Sequence, residues 1–367
     1  MDQMRYRKLI SCPADKRTAY IERLLLRPAG LVYLAVIKLR NLLYSRGWLK
    51  AHRANAVVIS VGNITVGGTG KTPLVIWLCN FLAKKNILCA ILTRGYKTNQ
   101  KSKIKNQKFT DEPATIANNC PGTQVLVNPD RIASAAEAIE NLGAQVLILD
   151  DGFQHRRLGR DIDIVAIDAT EPFGYGRCLP AGLLREPPSG LRRADAVVIT
   201  RCDQEPQDKL RDLEYRLRSI NPGIIIARSI HAPTYVGFAD GSYINPAELA
   251  NKKVFTFCGL GNPDAFFNTV RKAGGNIIRS MAFDDHYHYS ESCLGKICER
   301  ARNYGAEMVL TTEKDWTKIV KLRTVNNDIP FAYLAVEIRF VAGEDRLIAL
   351  IEKVLAGKIR LEMGPGK

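Results

Sequence analysis

The chain lacks the cysteine spacing that a zinc site or a disulfide framework needs. Nine cysteines are scattered through 367 residues, an odd number with no close CxxC pair. Several lie in apolar runs, so they read as buried thiols in a reducing compartment. No apolar run is long enough to span a bilayer. The longest early one, Ala29 to Ile37, is cut by Lys38, and no secretory signal peptide is evident. Internal repeats, coiled-coil heptads and low-complexity tracts are missing too. So are zinc-finger spacing and an RNP-like aromatic motif. The formal charge of +16 therefore points to no particular nucleic-acid reader.

What is present begins with a basic, apolar N-terminal segment. Residues 1–53 hold 12 Lys or Arg against 3 Asp or Glu, a net of +9. Within it, Leu24 to Tyr44 forms a long helix-compatible stretch with Pro28 near its start, surrounded by Arg23, Arg27, Lys38, Arg40 and Arg46. Two readings stay open. The helix lies in a membrane interface with its cations on anionic lipid, or it packs on the protein's own core. A second basic cluster, Lys97, Lys101, Lys103, Lys105 and Lys108, sits in a polar stretch that reads as a loop.

After Ala54, apolar runs alternate with helical patterns, the signature of an α/β fold. Strands are expected at 57–61, 88–93, 124–127, 146–150, 162–168, 196–200 and 224–227, with helices at 72–82, 130–142 and 207–219. Many of the strands are bare Val/Ile runs, which suit a predominantly parallel sheet covered on both faces. The pattern restarts after the turn-rich stretch PTYVGFADGSYINP, with strands at 254–258, 275–281, 307–310 and 332–336. Helices at 263–272, 290–302, 313–319 and 343–354 complete the set. The expected organisation is thus a basic-apolar helical region over 1–53, a P-loop domain over 54–231 and a smaller α/β domain over 232–367.

The P-loop is the run SVGNITVGGTGKTP, Ser60 to Pro73, placed between an apolar strand and a helix-compatible stretch. Backbone N–H groups of Gly67, Gly68, Thr69 and Gly70 would cradle phosphate at a helix N-terminus. Lys71 would reach the transferring group and Thr72 a metal ion. The usual GxxxxGK[ST] pattern has one departure, Thr65 in its first glycine position. A second apolar run, Val146 to Leu149, ends in Asp150-Asp151, the expected Mg²⁺ holders. Two adjacent acids repel if dry, so a cation or strong hydrogen bonding should stand beside them. His155 either accompanies these acids or caps a surface turn. The implied cofactors are ATP and Mg²⁺. A P-loop ATPase or kinase and a nucleotide-dependent nucleic-acid-binding protein both share these parts.

An ordered series of further motifs narrows the choice. It comprises VGNITVGGTGKTP (61–73), TRGY (93–96), DEP (111–113), DDGFQH (150–155), LPAGLLREP (179–187) and RADAVVIT (193–200). FCGLGNPDAFF (257–267), FDDHYHY (283–289) and TTEKD (311–315) follow in the second domain. With these the chain closely resembles the tetraacyldisaccharide 4'-kinase family, the lipid A 4'-kinases of Gram-negative bacteria. One departure is that Tyr287 stands where the family's FPDHH motif carries its second histidine, while His286 keeps the first.

The resemblance implies transfer of the γ-phosphate of ATP to the 4'-hydroxyl of an acylated glucosamine disaccharide 1-phosphate. The site would be the cytoplasmic face of the bacterial inner membrane, with the early helix as a peripheral anchor and no specific nucleic-acid partner. It also implies Asp111 as the general base, with His286 pairing to it and tuning its basicity. Arg94, Gln154 and Arg185 become substrate-binding candidates, since an arginine fork can hold a phosphate. Glu313 and Lys314 receive no chemical step.

Overall fold

The Val/Ile runs fold as buried strands in the computed structural model, which describes residues 17–95, 111–320, 322 and 329–362. The lysine cluster at 97–108 lies outside the described residues, as does the side chain of Asp111. The described chain divides into two compact units, each discontinuous in sequence.

The larger unit, described over 17–95, 116–230 and 340–362, carries the P-loop. Its strands are β1 (Val57–Gly62), β2 (Cys89–Thr93), β3 (Gln124–Val127), β4 (Val146–Asp150), β5 (Ile162–Asp168), β6 (Ala196–Thr200) and the start of β7 (Ile225–Phe238). They order as β7–β6–β5–β1–β4–β2–β3, and every pair in that series is parallel. This is the predominantly parallel α/β sheet the sequence implies. β1, β4, β5 and β6 are buried at every position, as the lack of polar alternation in their sequences requires.

Helices cover both faces. α1 (Arg17–Ser45) precedes the sheet, and α2 (Lys71–Lys84) follows the P-loop. After β3 comes α4 (Arg131–Leu142), whose Asp130 N-cap accepts from the amides of Ile132 and Ala133, with Gly143 ending it at φ 65°. α5 (Gln207–Ile220) buries Leu210, Leu213 and Leu217, a stripe at helical spacing. The last helix, α9 (Glu344–Glu362), buries Leu347, Ile351 and Leu355. Its Lys358 Nζ donates to the carbonyl of Ala56 at 2.8 Å and to Asp161 at 2.9 Å, holding the approach to β1.

The smaller unit, described over 111–115, 231–320, 322 and 329–339, contains β9 (Lys253–Cys258), β10 (Asn276–Ala282), β11 (Met308–Thr312) and most of β12 (Phe331–Ala342). With β7 the order is β10–β9–β11–β12–β7, and β8 (Tyr243–Ile244) pairs antiparallel to β7. α6 (Pro263–Lys272), α7 (Glu291–Asn303) and α8 (Glu313–Ile319) are its helices. The first turn of α3 (Asp111–Asn119) also belongs to it.

Two elements differ from the sequence pattern. The strand expected to end at Ala227 continues as β7 to Phe238, through residues that read as turn. Pro233 and Gly237 are poor strand residues, yet Gly237 lies beneath Tyr333, where a Cβ would come within 2.5 Å of the ring. Packing, rather than propensity, sets that strand. α3 has no counterpart among the helices expected from the sequence. Its Pro113 falls in the first turn, where a missing N–H costs little.

Candidate active site

β1 ends at Gly62, and a Cβ there would meet Phe153 Cβ at 2.5 Å, so only glycine lets the loop leave the strand this close. Thr65, the departure from the glycine pattern, is 5% exposed and bridges Leu184 as a short antiparallel pair. The Val66 amide donates to Leu183 O at 2.8 Å and the Arg185 amide to Ile64 O at 2.8 Å. An extended residue suits that bridge, and glycine is not needed there. Left-handed backbone falls instead at Gly67 (φ 121°) and at Gly70 (φ 84°), the N-cap of α2. Lys71 and Thr72 open α2, so the loop amides and the positive helix end share one place.

The two acids after β4 separate into different environments. Asp150 is 3% exposed. It accepts from Thr93 Oγ1 at 3.2 Å, while its carbonyl accepts from Arg131 Nη2 at 2.7 Å. Asp151 takes a left-handed turn (φ 52°) and meets Lys71 Nζ at 3.3 Å and Arg185 Nη1 at 2.6 Å. Burial alone would raise its pKa. The Lys71 ammonium and Arg185 guanidinium outweigh that and hold the carboxyl well below the usual range. Lys71, Asp151 and Arg185, three residues far apart in sequence, are therefore brought together. The cations expected beside the acid pair are these two side chains.

A second network braces the loop from behind. Gln154 Nε2 donates to Asn63 O at 2.8 Å and to Glu186 Oε1 at 2.7 Å. Glu186, fully buried, takes both Arg193 nitrogens at 2.7 Å and Asn41 Nδ2 of α1 at 3.3 Å. Tyr33 of α1 donates to Arg185 O at 2.8 Å. Arg94 is exposed just beyond β2.

Sequence reasoning missed Arg131, a buried arginine at the start of α4. Burial lowers its pKa most, Arg94 adds to that lowering, and Asp150 and Asp151 counter it. The only signal was its position directly after a capping aspartate. His155 is also pushed down, to about 4, first by burial and then by the arginines at 131, 160 and 157. It is a neutral imidazole beside a cationic cluster.

In the smaller unit, Asp111 is the first residue of α3. His286 adopts φ 61°, and its Nε2 lies 3.9 Å from Asp285 Oδ1. Lys314 Nζ bridges Glu112 at 3.0 Å and Asp285 at 3.2 Å. Burial would raise the Asp285 pKa, but Lys314 and then His286 hold it down. Asp315, fully buried, accepts from the Gly259 amide at 2.8 Å and Thr312 Oγ1 at 2.9 Å, which fixes the start of α8. Tyr287 is half-stacked on Phe283, ring centroids 4.6 Å apart, and meets Tyr289 at 5.1 Å. It fills an aromatic cluster that a histidine would make more polar.

A parallel sheet whose first strand runs through a glycine-rich loop into a helix, with acids at the end of the adjoining strand, defines a P-loop nucleotide-binding protein. The family model described as Tetraacyldisaccharide-1-P 4'-kinase (LpxK) matches residues 22–356, and the chain belongs to that family. The tetraacyldisaccharide 4'-kinase of Syntrophus aciditrophicus (strain SB) is 38% identical over 356 residues, covering 91% of this chain and 94% of that protein. The one from Syntrophotalea carbinolica is 37% identical over 328 residues, covering 86% and 88%. Among solved structures, the "apo" form of LpxK from Aquifex aeolicus in complex with ATP superposes with a TM-score of 0.67. The two are 30% identical, and the match covers 91% of this chain and 99% of that one. The chain is an ATP-using enzyme of the tetraacyldisaccharide 4'-kinase type.

Proposed function

We propose that the Lys71 loop and the acids after β4 carry γ-phosphate from ATP to the 4'-hydroxyl of tetraacyldisaccharide 1-phosphate in lipid A synthesis. The observation that carries this reading is the Lys71–Asp151–Arg185 cluster at the mouth of the P-loop. Two cations converge there on one carboxylate, and phosphate oxygens present the same charge to them. The loop amides left open and the N-terminus of α2 bind the phosphates. Lys71 divides its charge between Asp151 and the transferring group, neutralising negative charge as it develops. Arg185 and Arg94 form the substrate-binding set, with Gln154 fixing the loop beside them through Asn63 O and Glu186.

Among the described residues no cluster of three His, Cys, Asp or Glu could hold a metal ion. Mg²⁺ does not require one, because it takes one or two carboxylates and completes its shell with phosphate and water. Thr72 with Asp150, and Asp151 beside them, fit that smaller donor set. Bound there, Mg²⁺ would neutralise the phosphates and order them for in-line attack.

Asp111 is the general base for the 4'-hydroxyl and His286 its partner, as the family resemblance implies. Peripheral attachment comes from α1. Its Gly30 and Ile37 are buried, while Leu31 (66% exposed), Val32, Val36 and Leu39 stay exposed. No described helix is long and apolar enough to cross a membrane. The same helix thus has one face on the protein and another available to lipid.

The test of the base is Asp111→Asn in the purified enzyme with acceptor in mixed micelles. Turnover should fall about 10²- to 10⁴-fold while the KM for ATP changes by less than about threefold. Turnover equal to that of the unmodified enzyme would remove Asp111 from this role.

A further inference from the structure

The end of β6 touches the back of the P-loop through two consecutive residues. Thr200 Oγ1 donates to Thr69 O at 2.9 Å, and Arg201 Nη1 donates to Gly68 O at 2.9 Å. The same guanidinium is ion-paired to Asp168. Asp168 lies directly across from Thr200 in the parallel β5–β6 register, so the acid and the two donors leave the sheet side by side. All three are almost completely buried.

Arg201 also adopts a left-handed backbone (φ 57°), which a residue with a long side chain holds only when its surroundings impose it. Here the Asp168 pair and the Gly68 carbonyl aim that side chain under the loop.

We propose that Arg201, held by Asp168 and seconded by Thr200, is a positioning residue for ATP. It sets the direction of the loop peptides that receive the phosphates. Peptide planarity couples the carbonyls to the amides that follow them. Across a trans peptide the C=O and N–H point opposite ways. Holding the carbonyls of Gly68 and Thr69 towards β6 turns the N–H groups of Thr69 and Gly70 the other way. The Thr69 N–H closes a tight turn about Gly68 onto Gly67 O at 3.0 Å, which leaves the Gly70 N–H as the one aimed at phosphate. Without the pin, peptides next to Gly67, Gly68 and Gly70 can rotate cheaply, since glycine tolerates both signs of φ. A rotated peptide would present a carbonyl oxygen to a phosphate. Arg201 acts from outside the phosphate cradle, through the loop backbone, and takes no part in the transfer itself.

This rests on the loop being the ATP phosphate site, and Lys71→Ala tests that separately. Fluorescent mant-ATP binding and the KM values for ATP and for tetraacyldisaccharide 1-phosphate would be measured on Arg201→Met, Arg201→Lys, Thr200→Val and Asp168→Asn. Arg201→Met should weaken mant-ATP binding and raise the KM for ATP by about tenfold or more, with the acceptor KM within about twofold. Arg201→Lys, which keeps a cationic donor, should recover most of that loss. Thr200→Val and Asp168→Asn should give smaller shifts in the same direction. A merely structural role predicts something else: kcat falls with the folded fraction while both KM values and mant-ATP affinity stay unchanged. That result in Thr200→Val and Asp168→Asn would overturn the proposal, even if Arg201→Met failed to fold. Full ATP binding and transfer in Lys71→Ala would overturn it together with the loop assignment.

Discussion

Asp150 and Asp151 are neighbours in sequence, yet their surroundings give them different work. One accepts from a threonine at the end of β2, and the other balances two cations. His155, four residues on, shows how the same cationic surroundings act on a base. Its pKa is held at about 4 in the fold against 6.5 for the free side chain. Above pH 6.5 the imidazole is neutral in both states and stability does not change with this group. Between about 6.5 and 4 the unfolded chain takes the proton first, so stability falls as pH falls, by at most about 1.4 kcal/mol per pH unit. Urea unfolding at pH 7.0, 5.5 and 4.5 should show this slope, and His155→Asn should flatten it. An unchanged profile in the variant would rule out His155 as its source.

The candidate site residues Lys71, Thr72, Asp150 and Asp151 were legible because motif and spacing single them out. Arg131 and Arg201 were not. Their importance lies in which backbone carbonyl each reaches, at Asp150 and at Gly68, and those contacts span 19 and 133 residues.

At the scale of elements, α1 is the clearest case of a choice the sequence left open. Its leucines fit either a membrane interface or the core. In the structure Tyr33 and Leu34 pack on the body while Leu31, Val36 and Leu39 are exposed, and it is this exposed face for which a membrane interface is proposed. Replacing Leu31, Val36 and Leu39 together by serine removes exposed apolar surface only. Binding to anionic vesicles should fall about tenfold or more, since each large side chain kept out of lipid loses on the order of 1.5 kcal/mol or more. The KM for ATP should stay the same. Vesicle flotation and ATP kinetics would check both halves. Retained flotation would move the anchor elsewhere.

Strands such as β3, β4, β5 and β6 were legible to the residue because short apolar runs rich in Val, Ile and Leu suit a sheet covered on both faces. β7 was only half legible. Propensity stops it near Ala227, whereas packing against Tyr333 carries it to Phe238.

At the scale of the whole molecule, each unit gathers chain segments that sequence order keeps apart. The P-loop unit includes α9 from the far C-terminal side, anchored by Lys358 and by Trp77 Nε1 donating to Glu344 at 3.1 Å. The smaller unit takes the first turn of α3, where Lys314 bridges Glu112 and Asp285. Hydrophobic periodicity identifies elements but carries no information on such distant docking, so this level was the least legible.

The central claim is that this P-loop transfers phosphate to a lipid sugar. The direct measurement follows labelled γ-phosphate from Mg·ATP into tetraacyldisaccharide 1-phosphate in mixed micelles, with the label mapped on the product. Label at the 4'-hydroxyl, abolished by Lys71→Ala, is the predicted result. Folded enzyme that binds ATP yet leaves the disaccharide unlabelled would contradict it.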